Sequence, residues 1–213
     1  MRLLLIRHGQ TPSNVVGALD TAYPGAALTD LGTRQAQAVP AALTEETIAG
    51  VYASQLTRTQ LTAQPLAEAS GTTVTVQQGF EEILAGDAEM RSDEHSQRRY
   101  IDLLMRWARG DLSAMLPDGE TGHDFFRRYA NAVENVVSAH DDDDTVAVFS
   151  HGAAIRMFAG YAARSRGSGH LDNTGLVELI GDPERGWQLG RWVAEPLGGT
   201  ELADTAAHDV TGE

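Results

Sequence analysis

Two short motifs in the sequence carry side chains suited to chemistry on an anion: Arg-His-Gly at residues 7–9 and Ser-His-Gly at 150–152. Each follows an apolar run typical of a buried strand, and open α/β sheets bind ligands beyond the carboxyl ends of their strands. Two such strands would bring His8 and His151 to one sheet edge, where glycine lets the backbone approach a ligand. An imidazole beside a guanidinium predicts an enzyme that acts on an anion, above all on a phosphate.

The composition narrows the classes of partner and compartment. Sixteen basic and 30 acidic residues give a formal net charge of −14, which disfavours nucleic acids and anionic membranes as partners. The lack of cysteine excludes disulfides and thiolate chemistry and fits a cytoplasmic protein. No apolar run has the length of a membrane span, and the run at residues 3–6 is too short for a secretion signal. We therefore expect a small phosphorylated metabolite as the partner, and the oligomeric state stays open, with a homodimer among the states allowed.

Short apolar runs alternate with helix-like segments, the pattern of an α/β fold with a largely parallel sheet. Predicted strands cover residues 2–6, 50–53, 72–76, 145–149, 176–180 and 187–193. Predicted helices cover residues 29–43, 56–70, 97–109 and 153–163, with one more carrying Phe125, Tyr129, Ala132, Val133 and Val136 on one face. The last two strands should form an antiparallel pair at the sheet edge. Residues 1–193 form the predicted catalytic domain, and the small and acidic residues 194–213 are interpreted as a tail with few tertiary contacts.

Single residues and short runs also predict local features of the helices and turns. Thr29 is a predicted helix N-cap, and Pro40 and Pro65 should disturb, kink or break their helices. The aspartate run at 141–144 is interpreted as a solvated turn rather than a cation site. In the helix at 97–109, the i, i+3, i+4, i+7 pattern predicts a buried face made of Ile101, Leu104, Met105 and Ala108.

Six separated motifs connect the two histidine sites. They are RHGQT at 7–11 with Asn14, LTDLG at 28–32 with QA at 35–36, SQLTRT at 54–59 with TA at 62–63, FEEI at 80–83 with Gly86, GET at 119–121, and SHG at 150–152 with IR at 155–156. In this order they resemble the histidine phosphatase superfamily, which includes the cofactor-dependent phosphoglycerate mutases. The resemblance spans residues 2–193. It implies a single-domain three-layer sandwich, in which helices flank a mixed, mostly parallel sheet.

The resemblance also implies a role for each matching residue. His8 would be the nucleophile that takes the phosphoryl group onto a ring nitrogen. Arg7, Arg58 and His151 would surround the phosphoryl oxygens. Glu82 would protonate the leaving oxygen and then accept a proton from water. No metal and no other cofactor is expected, because the arginines would repel a cation at the two histidines.

Three further residues are expected to bind the substrate. Thr11 and Asn14 would donate hydrogen bonds to the same phosphoryl group, and Gly152 would let the backbone approach it. Glu81 competes with Glu82 for the acid role, since neighbours in an extended segment point to opposite sides; the family pattern selects Glu82.

The roles of several charged residues stay open at this point. Glu120 either caps the following helix or acts in the site, and Arg156 could pair with a carboxylate within the fold. His123 could approach the pocket beside Glu120. The arginines after Glu82 should mostly be solvated, with one or two lining a lid: Arg91, Arg98, Arg99, Arg106 and Arg109. The remaining histidines are expected in surface or structural positions: His95, His140, His170 and His208.

Departures from the family pattern bear on the substrate. Met90 stands where a second glycine is common, Ala153 where the mutases have asparagine, and Gly25 where an acidic residue is frequent. We therefore predict hydrolysis of a phosphomonoester through a phosphohistidine. The alternatives are a cofactor-dependent phosphoglycerate mutase and a non-catalytic module that binds a phosphorylated ligand; the complete set of predicted catalytic residues argues against the latter.

Overall fold

The carboxyl ends of the parallel strands converge on one edge of a six-stranded sheet in the computed structural model, which describes residues 1–165, 169–204 and 211–212. The strands are β1 (Arg2–Arg7), β2 (Ile48–Ala53), β3 (Val74–Val76), β4 (Thr145–Ser150), β5 (Leu176–Asp182) and β6 (Gly186–Val193). Their order is β3-β2-β4-β1-β5-β6. The first four strands in this order are parallel, whereas β5 and β6 run antiparallel. The predicted mixed, mostly parallel sheet is confirmed, as is the antiparallel pair at its edge.

The two central strands, β1 and β4, bring the histidine motifs together. Both are apolar throughout most of their length because both of their faces are covered, and β4 is buried at every residue. The parallel register pairs Arg7 with Ser150. His8 and His151 therefore leave the sheet at the same level.

Helices cover both faces of the sheet. They are α1 (Pro12–Val16), α2 (Asp30–Ala42), α3 (Thr57–Ala69), α4 (Glu94–Ala108), α5 (Gly122–Val137) and α6 (Gly152–Ala162). Side chains alternate along β1, so Leu3 and Leu5 pack in the core under α4, α5 and α6. Leu4 and Ile6 pack in the core under α2 and α3. This is the three-layer arrangement that the motifs imply.

The predicted N-cap of α2 is confirmed, whereas the effect predicted for the two prolines is too strong. The hydroxyl of Thr29 caps α2 by accepting from the Gly32 N–H. Pro40 and Pro65 both lie inside continuous helices, so the break considered at Pro65 does not occur. A proline removes one helical hydrogen bond, and the packing of neighbouring core residues such as Leu66 outweighs that loss because tertiary contacts dominate helix stability.

The predicted buried face of α4 is wrong by one position. Tyr100, Leu103 and Trp107 are buried, whereas Met105 is 41% exposed. Trp107 stacks on Phe125 of α5 with a centroid separation of 5.8 Å. Large aromatic side chains bury more area than the aliphatic set and therefore fix the rotation of the helix. The face predicted for α5 is confirmed, since all of its named residues are buried.

The prediction of few tertiary contacts for residues 194–213 is wrong for the part that the structure describes. Leu197 is buried in the core beside α2 and α3. The Gln35 side chain donates to the Leu202 carbonyl at 2.8 Å, and the Leu171 N–H donates to the Gly212 carbonyl at 2.9 Å. A low aromatic content does not prevent pairing through the backbone. His208 lies outside the described residues.

Two further predictions concern a membrane-spanning segment and the aspartate run at 141–144. In the described ranges no helix is both long and apolar enough to cross a membrane. The aspartates at 141–144 lie in a turn between α5 and β4 and are mostly exposed, and the described part of the chain holds no cluster of side chains suited to a metal ion.

Candidate active site

His8 lies at the end of β1 in a defined tautomer. Its side chain is 2% exposed, and its Nδ1 lies 2.8 Å from the Gly9 carbonyl. Because a carbonyl only accepts, Nδ1 carries the proton and Nε2 carries the lone pair. Burial, reinforced by the charges of Arg58 and Arg7, lowers the pKa of His8 well below its ordinary value, so the imidazole is neutral and its Nε2 is available to react.

Two buried guanidinium groups lie beside this imidazole. Arg7 donates from Nη1 to the Leu171 carbonyl at 2.6 Å and from Nη2 to Thr211 Oγ1 at 3.0 Å. Arg58, in the first turn of α3, donates from Nη2 to the Asp20 carbonyl at 2.7 Å. Its Nε and Nη1 are buried and make no hydrogen bond within the described residues. Buried donors without acceptors are rare, so Arg58 is poised to bind an anion.

The second imidazole, of His151, follows β4 and is fully buried. Its Nε2 shares a 2.8 Å hydrogen bond with Ser54 Oγ, and its Nδ1 has no partner among the described residues. The ring centroids of His8 and His151 are 5.2 Å apart. Burial and the nearby charge of Arg58 lower the pKa of His151 well below its usual range. The predicted convergence of the two imidazoles is therefore present in the structure.

Glu82 is the buried member of the adjacent glutamate pair. Its Oε1 accepts from the Ile83 and Ala154 N–H groups at 2.8 and 2.9 Å, and its Oε2 accepts from the Ala153 N–H at 3.2 Å. Burial raises the pKa of Glu82 above its ordinary value, although these N–H groups and the charges of Arg58 and Arg7 partly offset the shift. By contrast, Glu81 is partly exposed and accepts from the Gly79 N–H at 2.7 Å. Of the two carboxylates, Glu82 lines the pocket.

A small pocket is bounded by three of the predicted catalytic side chains, those of His8, Arg58 and Glu82, whereas Arg7 and His151 lie outside its lining. It is lined by His8, Thr11, Ser13, Asn14, Ala18, Asp20, Arg58, Glu82 and Thr211. Its free volume is about 10 Å³, on the order of one water molecule. A cleft of about 690 Å³ lies elsewhere, between α4, α5 and α6, and holds none of the predicted catalytic residues.

The predicted substrate-binding residues lie at this pocket or against it, but Thr11 is already engaged. Thr11 and Asn14 form a reciprocal cap at α1, in which the Thr11 N–H and hydroxyl both donate to Asn14 Oδ1, at 2.9 and 3.0 Å. This arrangement leaves the amide nitrogen of Asn14 as the group to donate to a ligand. At Gly152, a Cβ would lie 2.4 Å from the Thr211 carbonyl oxygen and 3.0 Å from Arg7 Nε, so only glycine fits there.

Close backbone approaches fix the loop after β1. A Cβ on Gly9 would lie 2.6 Å from the Gly32 carbonyl oxygen, and one on Gly32 would lie 2.1 Å from the Gln10 carbonyl oxygen. The two glycines therefore let the start of α2 pack directly against the loop that carries His8. The Gly9 N–H also donates to Thr62 Oγ1 at 2.9 Å, which accounts for a threonine in the third motif.

The structure explains two of the departures from the family pattern, those at Gly25 and Met90. A Cβ on Gly25 would lie 2.4 Å from Arg58 Nη1, so a larger residue would displace the guanidinium. Asp20 supplies a carboxylate instead, with its Oδ1 3.6 Å from Arg58 Nη1. Met90 has a φ of 60°, in the left-handed region that favours glycine.

Sequence reasoning missed several residues that hold the site. The Asn173 side chain donates to the His8 carbonyl at 3.0 Å, and the Thr174 N–H donates to the Arg7 carbonyl at 3.1 Å. No motif marks these residues, and their place is set by the sheet: β5 is antiparallel to β1 and pairs Leu176 with Ile6. Polar residues just before β5 must therefore lie at the end of β1.

The charged residues whose roles the sequence left open do not line the small pocket. Thr121, and not Glu120, caps α5, while Glu120 forms an ion pair with Arg128. His123 is exposed, and Arg156 lines the large cleft. Four of the arginines after Glu82 pair with nearby carboxylates, namely Arg91 with Asp93, Arg98 with Glu94, Arg99 with Asp87 and Arg106 with Asp111. Arg109 is exposed and also lines the large cleft.

Comparison with known proteins gives a consistent result. A probable phosphoglycerate mutase of Yersinia pestis is 27% identical over 98% of both chains. A PE-PGRS family protein of Mycobacterium tuberculosis is 34% identical over 96% of this chain, which spans only 38% of that protein's length. A solved mycobacterial glucosyl-3-phosphoglycerate phosphatase shares the fold, with a TM-score of 0.76, 24% identity, and coverage of 91% of this chain and 99% of the other. The family model of the histidine phosphatase superfamily (branch 1) matches residues 3–195, and the chain belongs to that superfamily.

Proposed function

We propose that this protein hydrolyses phosphomonoesters through a phosphohistidine on Nε2 of His8. One observation carries the proposal: three groups meet in one pocket, namely a neutral imidazole with an available lone pair, a guanidinium whose buried Nε and Nη1 make no hydrogen bond within the described residues, and a carboxyl with a raised pKa. These belong to His8, Arg58 and Glu82. Together they supply the nucleophile, the charge stabilisation and the proton donor that phosphoryl transfer requires.

In the first half-reaction, His8 Nε2 bonds to phosphorus while the phosphorus–oxygen ester bond breaks. The protonated carboxyl of Glu82 gives its proton to the leaving oxygen, so the product leaves as a neutral alcohol. Arg58, Arg7 and His151 stabilise the phosphoryl oxygens during transfer. The Asn14 amide would donate one further hydrogen bond.

In the second half-reaction, water attacks the phosphorus of the phosphohistidine. The Glu82 carboxylate accepts the proton of that water, the nitrogen–phosphorus bond breaks and inorganic phosphate is released. His8 returns to its neutral form and Glu82 returns to its protonated form. Because both half-reactions use only protein side chains and water, the proposal needs no metal and no other cofactor.

A phosphoryl group that enters the pocket would compete for a donor that the protein already uses. The pocket has room for about one water molecule in this structure, and Thr211 Oγ1 accepts a hydrogen bond from Nη2 of Arg7. A phosphoryl oxygen would replace this hydroxyl as the acceptor on Arg7. The proposed substrate is therefore a small phosphorylated metabolite that competes with Thr211.

The second candidate activity is phosphoglycerate mutation, favoured by the relative described as a probable mutase. Three features favour hydrolysis. Asp20 adds a negative charge to the pocket wall, Ala153 offers no side-chain amide, and the arginines of α4 pair with surface carboxylates. A second acidic group on the substrate would therefore meet repulsion and few basic partners.

The choice between the two activities can be tested on one preparation. We expect inorganic phosphate release, with little or no interconversion of 2- and 3-phosphoglycerate, because Arg58 is the one arginine or lysine in the described lining of the pocket and is assigned to the phosphoryl group. Both products are assayed with 2,3-bisphosphoglycerate present as a primer. Interconversion that outpaces phosphate release would assign the protein to the mutases and leave the residue roles unchanged.

The pH dependence of kcat/KM for an alkyl phosphate should report two groups. His8 must be neutral, so activity falls as the pH drops through its pKa, which lies well below 6.5. Glu82 must be protonated, so activity falls as the pH rises through its pKa, which lies above 4.5. Glu82→Gln should remove the basic limb and keep the acid limb. The ratio of the two profiles cancels the titration of the substrate, and an unchanged basic limb would reject Glu82 as the acid.

A further inference from the structure

The segment that carries Glu82 is irregular, yet it is held at every peptide. This acid loop, residues 79–84, contains no helix or strand. Each carbonyl from Gly79 to Ile83 accepts a hydrogen bond from a side chain. The donors are Arg128 to Gly79, Glu81 and Glu82, Ser150 to Phe80, and Tyr100 to Ile83. The loop has no backbone ladder to define its shape, so these side chains define it.

Arg128, on α5, makes most of these contacts. Its Nη1 donates to the Gly79 and Glu81 carbonyls at 2.8 and 2.9 Å, and its Nη2 donates to the Glu82 carbonyl at 2.9 Å. Its guanidinium also lies over the Phe125 ring at 5.0 Å. A planar, rigid fork of donors suits this task, which the flexible ammonium of lysine would not perform.

Glu120 completes the arrangement from the other side. It accepts from Arg128 Nε at 2.9 Å and from Nη2 at 2.6 Å, which fixes the plane of the guanidinium. Its Oε1 also accepts from the Leu84 N–H at 3.1 Å. The two side chains therefore hold the loop before and after Glu82, although neither lines the pocket.

We propose that Arg128 and Glu120 are positioning residues that hold the Glu82 carboxyl in place for proton transfer. The inference rests on the proposed phosphatase activity. It follows from the contacts because a carboxyl on an irregular loop would otherwise sample several positions, and small displacements of a reacting group lower the rate strongly. Phosphoryl binding uses Arg58, Arg7 and His151, which Arg128 does not contact through any described hydrogen bond, so the pair should affect proton transfer and leave phosphoryl binding intact.

The test compares two esters in Arg128→Gln. We expect kcat/KM for an alkyl phosphate to fall about 10- to 100-fold, because its poor leaving group needs the proton. For an activated aryl phosphate the fall should stay within about 3-fold, since that leaving group needs little protonation. Arg127→Gln is the matched control, because Arg127 is the neighbouring arginine on α5 and pairs with Asp124 at the surface; both of its rates should stay unchanged.

A double variant separates positioning from a general structural effect. If Arg128 acts through Glu82, adding Arg128→Gln to Glu82→Gln should lower the alkyl rate by no more than about 2-fold, whereas independent effects multiply. Equal losses for both esters in Arg128→Gln, or multiplicative losses in the double variant, would overturn the inference while the wild-type activity stands. Absence of phosphatase activity in the wild type would instead reject the proposed function.

Glu120→Gln provides the test if Arg128→Gln does not fold, as judged by circular dichroism and thermal unfolding. It keeps the hydrogen bonds from Arg128 to the loop carbonyls and weakens only the support of the guanidinium. We expect the same selectivity for the alkyl ester with a smaller loss. A folded Glu120→Gln enzyme with wild-type rates on both esters would reject the proposal for the pair.

Discussion

His8→Ala is expected to lower phosphate release by at least about 10⁴-fold for every ester, because both half-reactions pass through this nucleophile. Arginines and Glu82 alone can stabilise a transition state for water, but they cannot form the nitrogen–phosphorus bond. The measurement is steady-state release of inorganic phosphate from alkyl and aryl phosphates. The loss should be large for both esters, since neither can be cleaved by this route without the nitrogen–phosphorus bond to His8.

A matched control for this change is His95→Ala. His95 is an exposed histidine in the first turn of α4, so its removal should leave the rates unchanged. Circular dichroism and thermal unfolding of both variants exclude a loss of folded protein. A folded His8→Ala enzyme with more than about one tenth of the wild-type rate would reject the nucleophile assignment.

Glu82→Gln should have the second-largest effect, and the effect should depend on the leaving group. We expect kcat/KM for alkyl phosphates to fall about 10²- to 10⁴-fold, the usual contribution of a general acid. Activated aryl phosphates should change far less, because their oxygen leaves without a proton. The parameter kcat/KM is the appropriate one, since for aryl esters it reports the formation of the phosphohistidine and not its hydrolysis.

Glu81→Gln is the control within the same dipeptide. Its carboxylate accepts from the Gly79 N–H, pairs with Arg128 at 3.9 Å and lies outside the pocket, so we expect a selectivity between the two esters far smaller than that of Glu82→Gln. If Glu81→Gln shows the leaving-group dependence and Glu82→Gln does not, the acid was assigned to the wrong residue. Equal losses for both esters in Glu82→Gln would show that this residue is not the proton donor.

The sequence was informative where one short motif determines both position and chemistry. His8 and His151 could be placed together because parallel strands that end in the same motif share a sheet edge, and the register of β1 and β4 has this geometry. The α/β class followed from the alternation of strands and helices, whereas the three-layer sandwich was implied by the family resemblance. The choice of Glu82 over Glu81 rested on the family pattern, and the difference in their burial agrees with it.

The parts that were missed depend on contacts between residues far apart in the chain. Asn173 reaches the His8 carbonyl across 165 positions, and Arg128 reaches the acid loop across 46 to 49. No local pattern encodes such pairs. The rotation of α4 was missed for a related reason: Tyr100 donates to the Ile83 carbonyl, and this tertiary contact outweighs the aliphatic periodicity of the helix.

The phosphoryl group on His8 can be trapped and located during turnover. Glu82→Gln with an activated aryl phosphate is the best sample, because the leaving group needs no acid while hydrolysis of the intermediate loses its base. The reaction is quenched in base, the intact mass is measured and the modified peptide is mapped. We expect one acid-labile phosphoryl group on the peptide containing His8, accumulating above the wild-type level and absent from His8→Ala. An acid-labile phosphoryl group that persists in His8→Ala, or one that maps to another residue, would reject His8 as the nucleophile.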